Sequence, residues 1–101
     1  MKKSYKLIKF YTDTCVPCRI MTPVINSVIA EFPMVSYEEI NANGNSAIIA
    51  FYQVLAVPTL VLLDSSDTLL GRHVGYTNKV DLKSWISETI ATAEKEDSLD
   101  E

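Results

Sequence analysis

Two cysteines three positions apart, in the motif Cys15-Val16-Pro17-Cys18, constrain this 101-residue chain most strongly. They come directly after a largely apolar run at residues 7–11 and directly before apolar residues at helical spacing, which predicts a turn between a strand and a helix. A thiol at such a turn lies beside the unpaired N–H groups and the positive dipole end of the helix, which favour the thiolate. We therefore expect a lowered pKa for the Cys15 thiol and a role as nucleophile.

Cys18 lies one helical turn beyond Cys15 on the same face, because residues i and i+3 are neighbours on a helix. It can therefore attack a mixed disulfide formed at Cys15 and close a bridge between the two cysteines. Two other interpretations stay open here. The pair could be half of a zinc site, which usually needs four ligands and for which His73 is the only other soft candidate. It could also be an inert bridge, although so short a loop would constrain the unfolded chain little.

Length and charge narrow the class of protein. The chain fits one domain, and no apolar run approaches the roughly 20 residues of a membrane span. No long apolar segment follows the basic start at residues 1–6, so a signal peptide is not expected. A cytoplasmic location is therefore the natural interpretation. A secreted protein whose signal peptide had been removed would look the same. The net charge of −4, without a basic patch beyond the lysines near the start, argues against nucleic acid as a ligand.

The hydrophobic pattern predicts the order strand, helix, strand, helix, hairpin, helix. Apolar residues at helical spacing from Cys15 to Phe32 predict the first helix, which Pro23 should kink and Pro33 should end. The other elements are predicted as strands at 5–12, 35–40, 59–63 and 68–74, a short helix at 47–53 capped by Ser46, and a final amphipathic helix capped by Thr77 or Asn78.

Residues 1–95 are predicted to form one domain, with Met21 and Trp85 in its core and His73 on the surface of a strand. Residues 96–101 contain four acidic residues and no basic one, so we expect an acidic, solvated C-terminal tail. No internal repeat or linker interrupts the sequence.

The motif and this element order resemble the thioredoxin family over about residues 7–90. The further positions that agree are Phe10 before the motif, Arg19 after it, Pro23 in the first helix, Pro58-Thr59 before the third strand and Gly75 after the last one. The resemblance implies an α/β, thioredoxin-like fold with a four-stranded mixed sheet and helices on both faces (βαβαββα), one strand and one helix shorter at the start than thioredoxins usually are. It also implies a cis Val57–Pro58 bond that lies against Cys15.

Lys9 departs most from the family pattern. At this position the family usually has a buried aspartate, thought to move protons to and from the second cysteine, and Glu39 stands where its lysine partner is expected. We therefore expect an ion pair between Lys9 and Glu39 under the active site, with Glu39 taking over proton transfer near Cys18. Alternatively, Lys9 alone favours the thiolate and raises the reduction potential, or it simply reaches solvent from the strand end.

The resemblance implies a thiol–disulfide oxidoreductase that reduces protein disulfides through the dithiol of Cys15 and Cys18. The substrate groove is then expected to be lined by Thr14, Val16, Pro17, Val57, Pro58, Gly75 and Tyr76. No bound cofactor or metal is needed for this reaction. A flavin enzyme resembling thioredoxin reductase would recycle the disulfide. The protein itself is expected to be a monomer. Because Thr14 and Val16 replace the tryptophan and glycine that are usual in the family, the range of protein partners should be narrow.

Two further functions remain open. One is a thioredoxin-fold binding module whose cysteines are not catalytic. The other is a disulfide oxidase or isomerase, because Val16 and Lys9 both stand where the family tunes its reduction potential. A disulfide-reduction assay on insulin distinguishes the first of these from a reductase, and the reduction potential of the cysteine pair distinguishes the second.

Overall fold

The computed structural model describes residues 3–99 and has the predicted element order. Its elements are β1 (Tyr5–Tyr11), α1 (Val16–Ile29), β2 (Val35–Asn41), α2 (Ser46–Tyr52), β3 (Thr59–Asp64), β4 (Leu69–Val74) and α3 (Lys79–Leu99). The strands and α2 agree with their predicted bounds to within one residue, whereas α1 ends three residues before Phe32.

The four strands form one mixed sheet, as expected, and their order in the sheet is β2-β1-β3-β4. β1 is parallel to β2 and antiparallel to β3, and β4 is antiparallel to β3. Phe10 near the end of β1 pairs with Thr59 at the start of β3, and Thr59 pairs with Val74 at the end of β4. The ends of β1 and β4 and the start of β3 therefore meet at one edge of the sheet, which we call the upper edge.

Helices cover both faces of the sheet, and this explains why β1 is apolar on both of its faces. On one face α1 and α3 form a core with the strands, built from Tyr5, Leu7, Met21, Ile25, Val28, Val35, Leu60, Leu62, Leu82, Ile86 and Ile90. On the other face α2 covers Ile8, Phe10, Val54, Val61 and Leu63. Met21 is fully buried as predicted, whereas Trp85 packs against the core and is only partly buried. Each fully buried large apolar side chain contributes about 1.5–3 kcal/mol to stability.

Local signals place the start of α3 correctly and the start of α2 to within one residue. Asn78 caps α3 as predicted, because its Oδ1 accepts the N–H of Asp81 at 2.8 Å. The N-cap of α2 is Asn45 rather than the predicted Ser46, which is the first helical residue. Pro23 lies inside α1, where it has no N–H to donate to the carbonyl of Arg19. The kink expected at this proline stays a prediction.

The structure describes part of the predicted acidic tail. α3 continues without a break past residue 95 to Leu99, so residues 96–99 extend the helix, while residues 100–101 lie outside the described part of the chain. The extension is reasonable because α3 contains no glycine or proline, the two residues that most disfavour a helix. Asp97 in this last part is exposed and forms an ion pair with Lys3. Within residues 3–99, no helix has both the length and the apolar character needed to cross a membrane.

Candidate active site

Cys15 stands at the N-cap of α1, as its position after β1 predicts. The chain leaves β1 at Tyr11 and turns back, with the N–H of Cys15 donating to the carbonyl of Thr12 at 3.2 Å. The Sγ of Cys15 accepts the N–H of Cys18 at 3.2 Å. The sulfur therefore occupies the position that a capping oxygen takes in other helices, where unpaired N–H groups stabilise negative charge.

Cys15 and Cys18 are joined in a disulfide, with their Cα atoms 5.3 Å apart. The two residues differ in access, because Cys15 is 8% exposed and Cys18 is 1% exposed. Another molecule can therefore reach the sulfur of Cys15 more easily than that of Cys18. Since each sulfur is bonded to the other, neither is free to bind a metal in this state. In the part of the chain that the structure describes, no group of three or more His, Cys, Asp or Glu side chains is arranged to hold a metal ion.

The residues expected around the cysteines lie at the upper edge on two sides. Thr14, Val16 and Pro17 are exposed where α1 begins. Across the sheet, the expected cis bond between Val57 and Pro58 is confirmed immediately before β3.

A hydrogen bond links that cis-proline loop to the segment after β4. The N–H of Gly75 donates to the carbonyl of Pro58 at 2.8 Å. Gly75 has a φ of +93°, in the left-handed region that glycine adopts most easily. Tyr76 follows it and is 53% exposed. The two loops therefore present Val57 and Tyr76 at the same edge as the Cys15 turn.

Lys9 lies beneath the first turn of α1 and is 2% exposed. Its Nζ donates to the carbonyl oxygen of Cys18 at 2.9 Å and to the hydroxyl of Thr22 at 2.7 Å, and it lies 2.8 Å from Oε2 of Glu39. An ammonium group has three donors, and three acceptors surround this one. The interpretation in which Lys9 reaches solvent is therefore wrong, and the ion pair with Glu39 is confirmed.

Glu39 is the direct neighbour of Lys9 in the parallel pairing of β1 and β2. Its side chain is 38% exposed, and it also accepts a hydrogen bond from the hydroxyl of Tyr37 at 2.7 Å. Burial raises the pKa of the Glu39 carboxyl. Hydrogen bonds from Lys9, Tyr37 and Thr22, together with the charge of Lys9, lower that pKa by more. The pKa of Glu39 therefore lies below its ordinary value. Glu39 is therefore a carboxylate at neutral pH.

Tyr37 belongs to the same group of polar residues. Burial, followed by the hydrogen bond to Glu39 and the charge of that carboxylate, raises the pKa of the Tyr37 phenol well above its ordinary value. Tyr37 therefore remains protonated and continues to donate to Glu39 across the ordinary pH range.

Thr22 was not predicted as a site residue. Its hydroxyl accepts from Lys9 and lies 3.4 Å from the carbonyl oxygen of Cys18. It stands four residues after Cys18 in the helix, so it faces the same side, and this spacing is the signal that could have identified it. Thr22 joins the Lys9–Glu39 pair to the backbone of Cys18.

Two other features lie apart from the cysteines. His73 was expected on the surface but is partly buried beside Trp85, and the centroids of the two rings are 5.9 Å apart. Its Nε2 is buried and has no hydrogen-bond partner among the described residues. A groove of about 830 Å³ lies at the opposite edge of the sheet, where Tyr5, Val35 and Asp64 are among its lining residues. Neither feature brings a reactive group to the disulfide.

Comparison with known proteins places these features in a family context. Residues 1–88 match the family model for thioredoxin. The thioredoxin of Chlamydia pneumoniae is 34% identical over 82 residues, which cover 81% of this chain and 79% of the relative. A thioredoxin of Buchnera aphidicola from Acyrthosiphon pisum is 32% identical over 91 residues, which cover 87% of this chain and 82% of the relative.

Solved structures agree with the sequence comparison. Oxidised mitochondrial thioredoxin 3 from Saccharomyces cerevisiae is 28% identical and superimposes with a TM-score of 0.75, over 84% of this chain and 78% of the other. A mutant thioredoxin from Halobacterium salinarum is 31% identical and has a TM-score of 0.76, over 85% of this chain and 74% of the other. The similarity therefore extends over most of each chain.

Proposed function

This chain belongs to the thioredoxin family and is a thiol–disulfide oxidoreductase, and we propose that it reduces protein disulfides with Cys15 as the attacking and Cys18 as the resolving thiol. The observation that carries these roles is that Cys15, at the start of α1, is 8% exposed, whereas its bonded partner Cys18 is only 1% exposed. Reduction of insulin by dithiothreitol tests the proposal. Wild-type protein should accelerate the reaction, and Cys15→Ser should not; acceleration by that variant would contradict it.

The reaction begins with the reduced protein. The thiolate of Cys15 attacks one sulfur of the substrate disulfide, and the other substrate sulfur leaves as a thiolate that takes up a proton. Cys18 then gives up its proton to water, and its thiolate attacks the Cys15 sulfur of the mixed disulfide. The second substrate sulfur leaves as a thiolate, which takes up a proton. Two electrons pass from the dithiol to the substrate, and the Cys15–Cys18 bond forms.

The groove that receives the substrate is proposed to lie between the cysteine turn and the cis-proline loop. Its lining would be the seven residues expected from the sequence: Thr14, Val16, Pro17, Val57, Pro58, Gly75 and Tyr76. All seven lie at the upper edge or in the loops that leave it. An extended substrate segment would pair its backbone with Val57, as peptides do at an open strand edge.

Lys9 is proposed to tune the cysteine pair by its charge. Three acceptors surround the Lys9 ammonium, and one of them is the carbonyl of Cys18. A positive charge in a buried position is weakly screened and stabilises a nearby thiolate. Stabilising the thiolate favours the reduced form, and this raises the reduction potential.

Proton transfer by Glu39 is the alternative role for this pair. The side-chain contacts connect Glu39 with Cys18 only through Lys9 and Thr22 among the described residues. The lowered pKa of Glu39 also means that this carboxylate holds a proton weakly near neutral pH. We therefore favour electrostatic tuning by Lys9 over a proton relay through Glu39.

The partners follow from the family. We propose that a flavin enzyme resembling thioredoxin reductase recycles the disulfide, and that the protein acts as a monomer in the cytoplasm.

The buried charge of Lys9 also favours a second candidate function, a disulfide oxidase or isomerase, because a raised reduction potential shifts electron flow towards the protein. The measured reduction potential decides between the two directions.

A further inference from the structure

Leu55 is the most exposed of the large apolar residues in the described part of the chain, at 97%. It lies in the segment that joins α2 to the cis-proline loop, and it was not among the residues predicted to bind substrate. Its neighbour Val54 is buried at 9%, so the chain is anchored in the core directly before Leu55. A single exposed leucine is common in proteins, and its significance here depends on how it is held and where it lies.

The turn that carries Leu55 is held on both sides. Before it, the carbonyl of Gln53 accepts from the guanidinium of Arg72 at 2.8 Å, and the N–H of Val54 donates to Ile49 at 3.0 Å. After it, the carbonyl of Ala56 accepts from the hydroxyl of Thr59 at 2.6 Å. The exposed side chain is therefore presented by a fixed backbone, which lowers the entropy lost when a partner covers it.

The position of Leu55 continues the proposed substrate groove. It stands two residues before Val57, so their Cα atoms are at most about 7 Å apart. Other exposed apolar side chains lie at the same edge of the sheet, namely Val16 at 51%, Tyr76 at 53% and Val74 at 57%. A protein whose disulfide reaches Cys15 must therefore approach an apolar rim, and Leu55 forms its outer part on the side of the cis-proline loop.

We propose that Leu55 is a specificity-determining contact that selects protein disulfides flanked by an apolar side chain. This inference rests on the proposed function, because the substrate segment must lie along Val57 for its flanking residue to cover Leu55. Covering the side chain removes apolar surface from water and favours such substrates over those with a polar flank. Small disulfides without a flanking segment do not reach Leu55 and should not be affected.

Two synthetic peptides test this contact. Both carry the same intramolecular disulfide, and they differ only in having leucine or serine two positions on either side of each cysteine. We expect wild-type reduced protein to have a kcat/KM about tenfold higher for the leucine peptide, which corresponds to about 1.4 kcal/mol. Leu55→Ser should bring the two values together and leave the reduction of hydroxyethyl disulfide unchanged.

Leu69→Ser is the matched control, because Leu69 is also exposed, at 42%, and begins β4 at the opposite edge of the sheet. It should keep the preference for the leucine peptide. The inference is overturned if wild type shows no preference, if Leu55→Ser keeps the preference, or if Leu69→Ser loses it equally. Failure of wild type to reduce either peptide would instead overturn the proposed function, and the inference with it.

Discussion

The Nζ of Lys9 lies 2.9 Å from the carbonyl oxygen of Cys18, so a buried positive charge contacts the backbone of the buried cysteine. At this position the thioredoxin family usually has an aspartate, which is negative when it is ionised. By the same resemblance, a lysine is expected where Glu39, the observed ion-pair partner of Lys9, lies on the neighbouring strand. The ion pair is thus kept with its polarity reversed, and its effect on the cysteines should be reversed too.

Replacing Lys9 should make the protein a stronger reductant. In Lys9→Met the buried ammonium is lost while most of the side-chain volume remains, so the thiolate loses stabilisation and the reduction potential falls by about 30 mV, equivalent to about 1.4 kcal/mol. Equilibration with glutathione buffers measures this potential. Lys6→Met is the matched control, since Lys6 lies on the same strand but is partly exposed and directed to the other face. An equal shift in both variants would contradict the role given to Lys9.

Glu39→Gln separates charge tuning from proton transfer. Removing the carboxylate leaves the charge of Lys9 uncompensated, so we expect the potential to rise and the rate of the resolving step to stay close to that of wild type. Glu38→Gln, at the exposed neighbouring position, should change neither. A slower resolving step with an unchanged potential would support the proton relay instead. Rapid-quench trapping of the mixed disulfide measures that step.

Stability should depend on the charge of Glu39 at low pH. Its pKa in the folded protein is lowered, so its contribution to stability is fully present above the unfolded pKa of about 4.3 and is lost as the pH falls through the folded value. Urea unfolding at several values between about pH 7 and about pH 3 should therefore show a steeper acid loss in wild type than in Glu39→Gln. Parallel curves for the two proteins would show that the pair is not linked to folding.

Thr22 should stabilise the fold by accepting from Lys9. Thr22→Val keeps the shape of the side chain but removes the acceptor, so a buried ammonium donor loses its partner at a cost of about 1–3 kcal/mol. Thr22→Ser keeps the hydroxyl and serves as the control. Thermal and urea denaturation should rank wild type and Thr22→Ser above Thr22→Val. Equal stability of the valine and serine variants would mean that Lys9 finds another acceptor.

Much of this arrangement could be predicted from the sequence because it depends on local spacing. The strand-to-helix turn at Cys15, the cap at Asn78 and the pairing of Lys9 with Glu39 each follow from a motif or a count along neighbouring strands. The bridge from Lys9 to Thr22 was missed because the pattern showed Thr22 only as a polar residue near a helical proline.

Other features depend on tertiary packing and leave little signal in the sequence. His73 is partly buried because α3 places Trp85 over β4, and a lone histidine in a strand does not reveal which helix covers it. Leu55 is an apolar residue of the kind found in cores but is 97% exposed, although Val54 directly before it is buried. α3 continues as far as Leu99, within the predicted acidic tail, because acidic residues alone do not stop a helix.

The most direct test of the cysteine roles is to trap the mixed disulfide. Pre-reduced Cys18→Ser keeps the attacking thiol and lacks the resolving one, so it should accumulate a covalent adduct with insulin that mass spectrometry locates at Cys15. Pre-reduced Cys15→Ser should form no such adduct. An adduct formed through Cys18, or no adduct in either variant while wild type still reduces insulin, would contradict the mechanism.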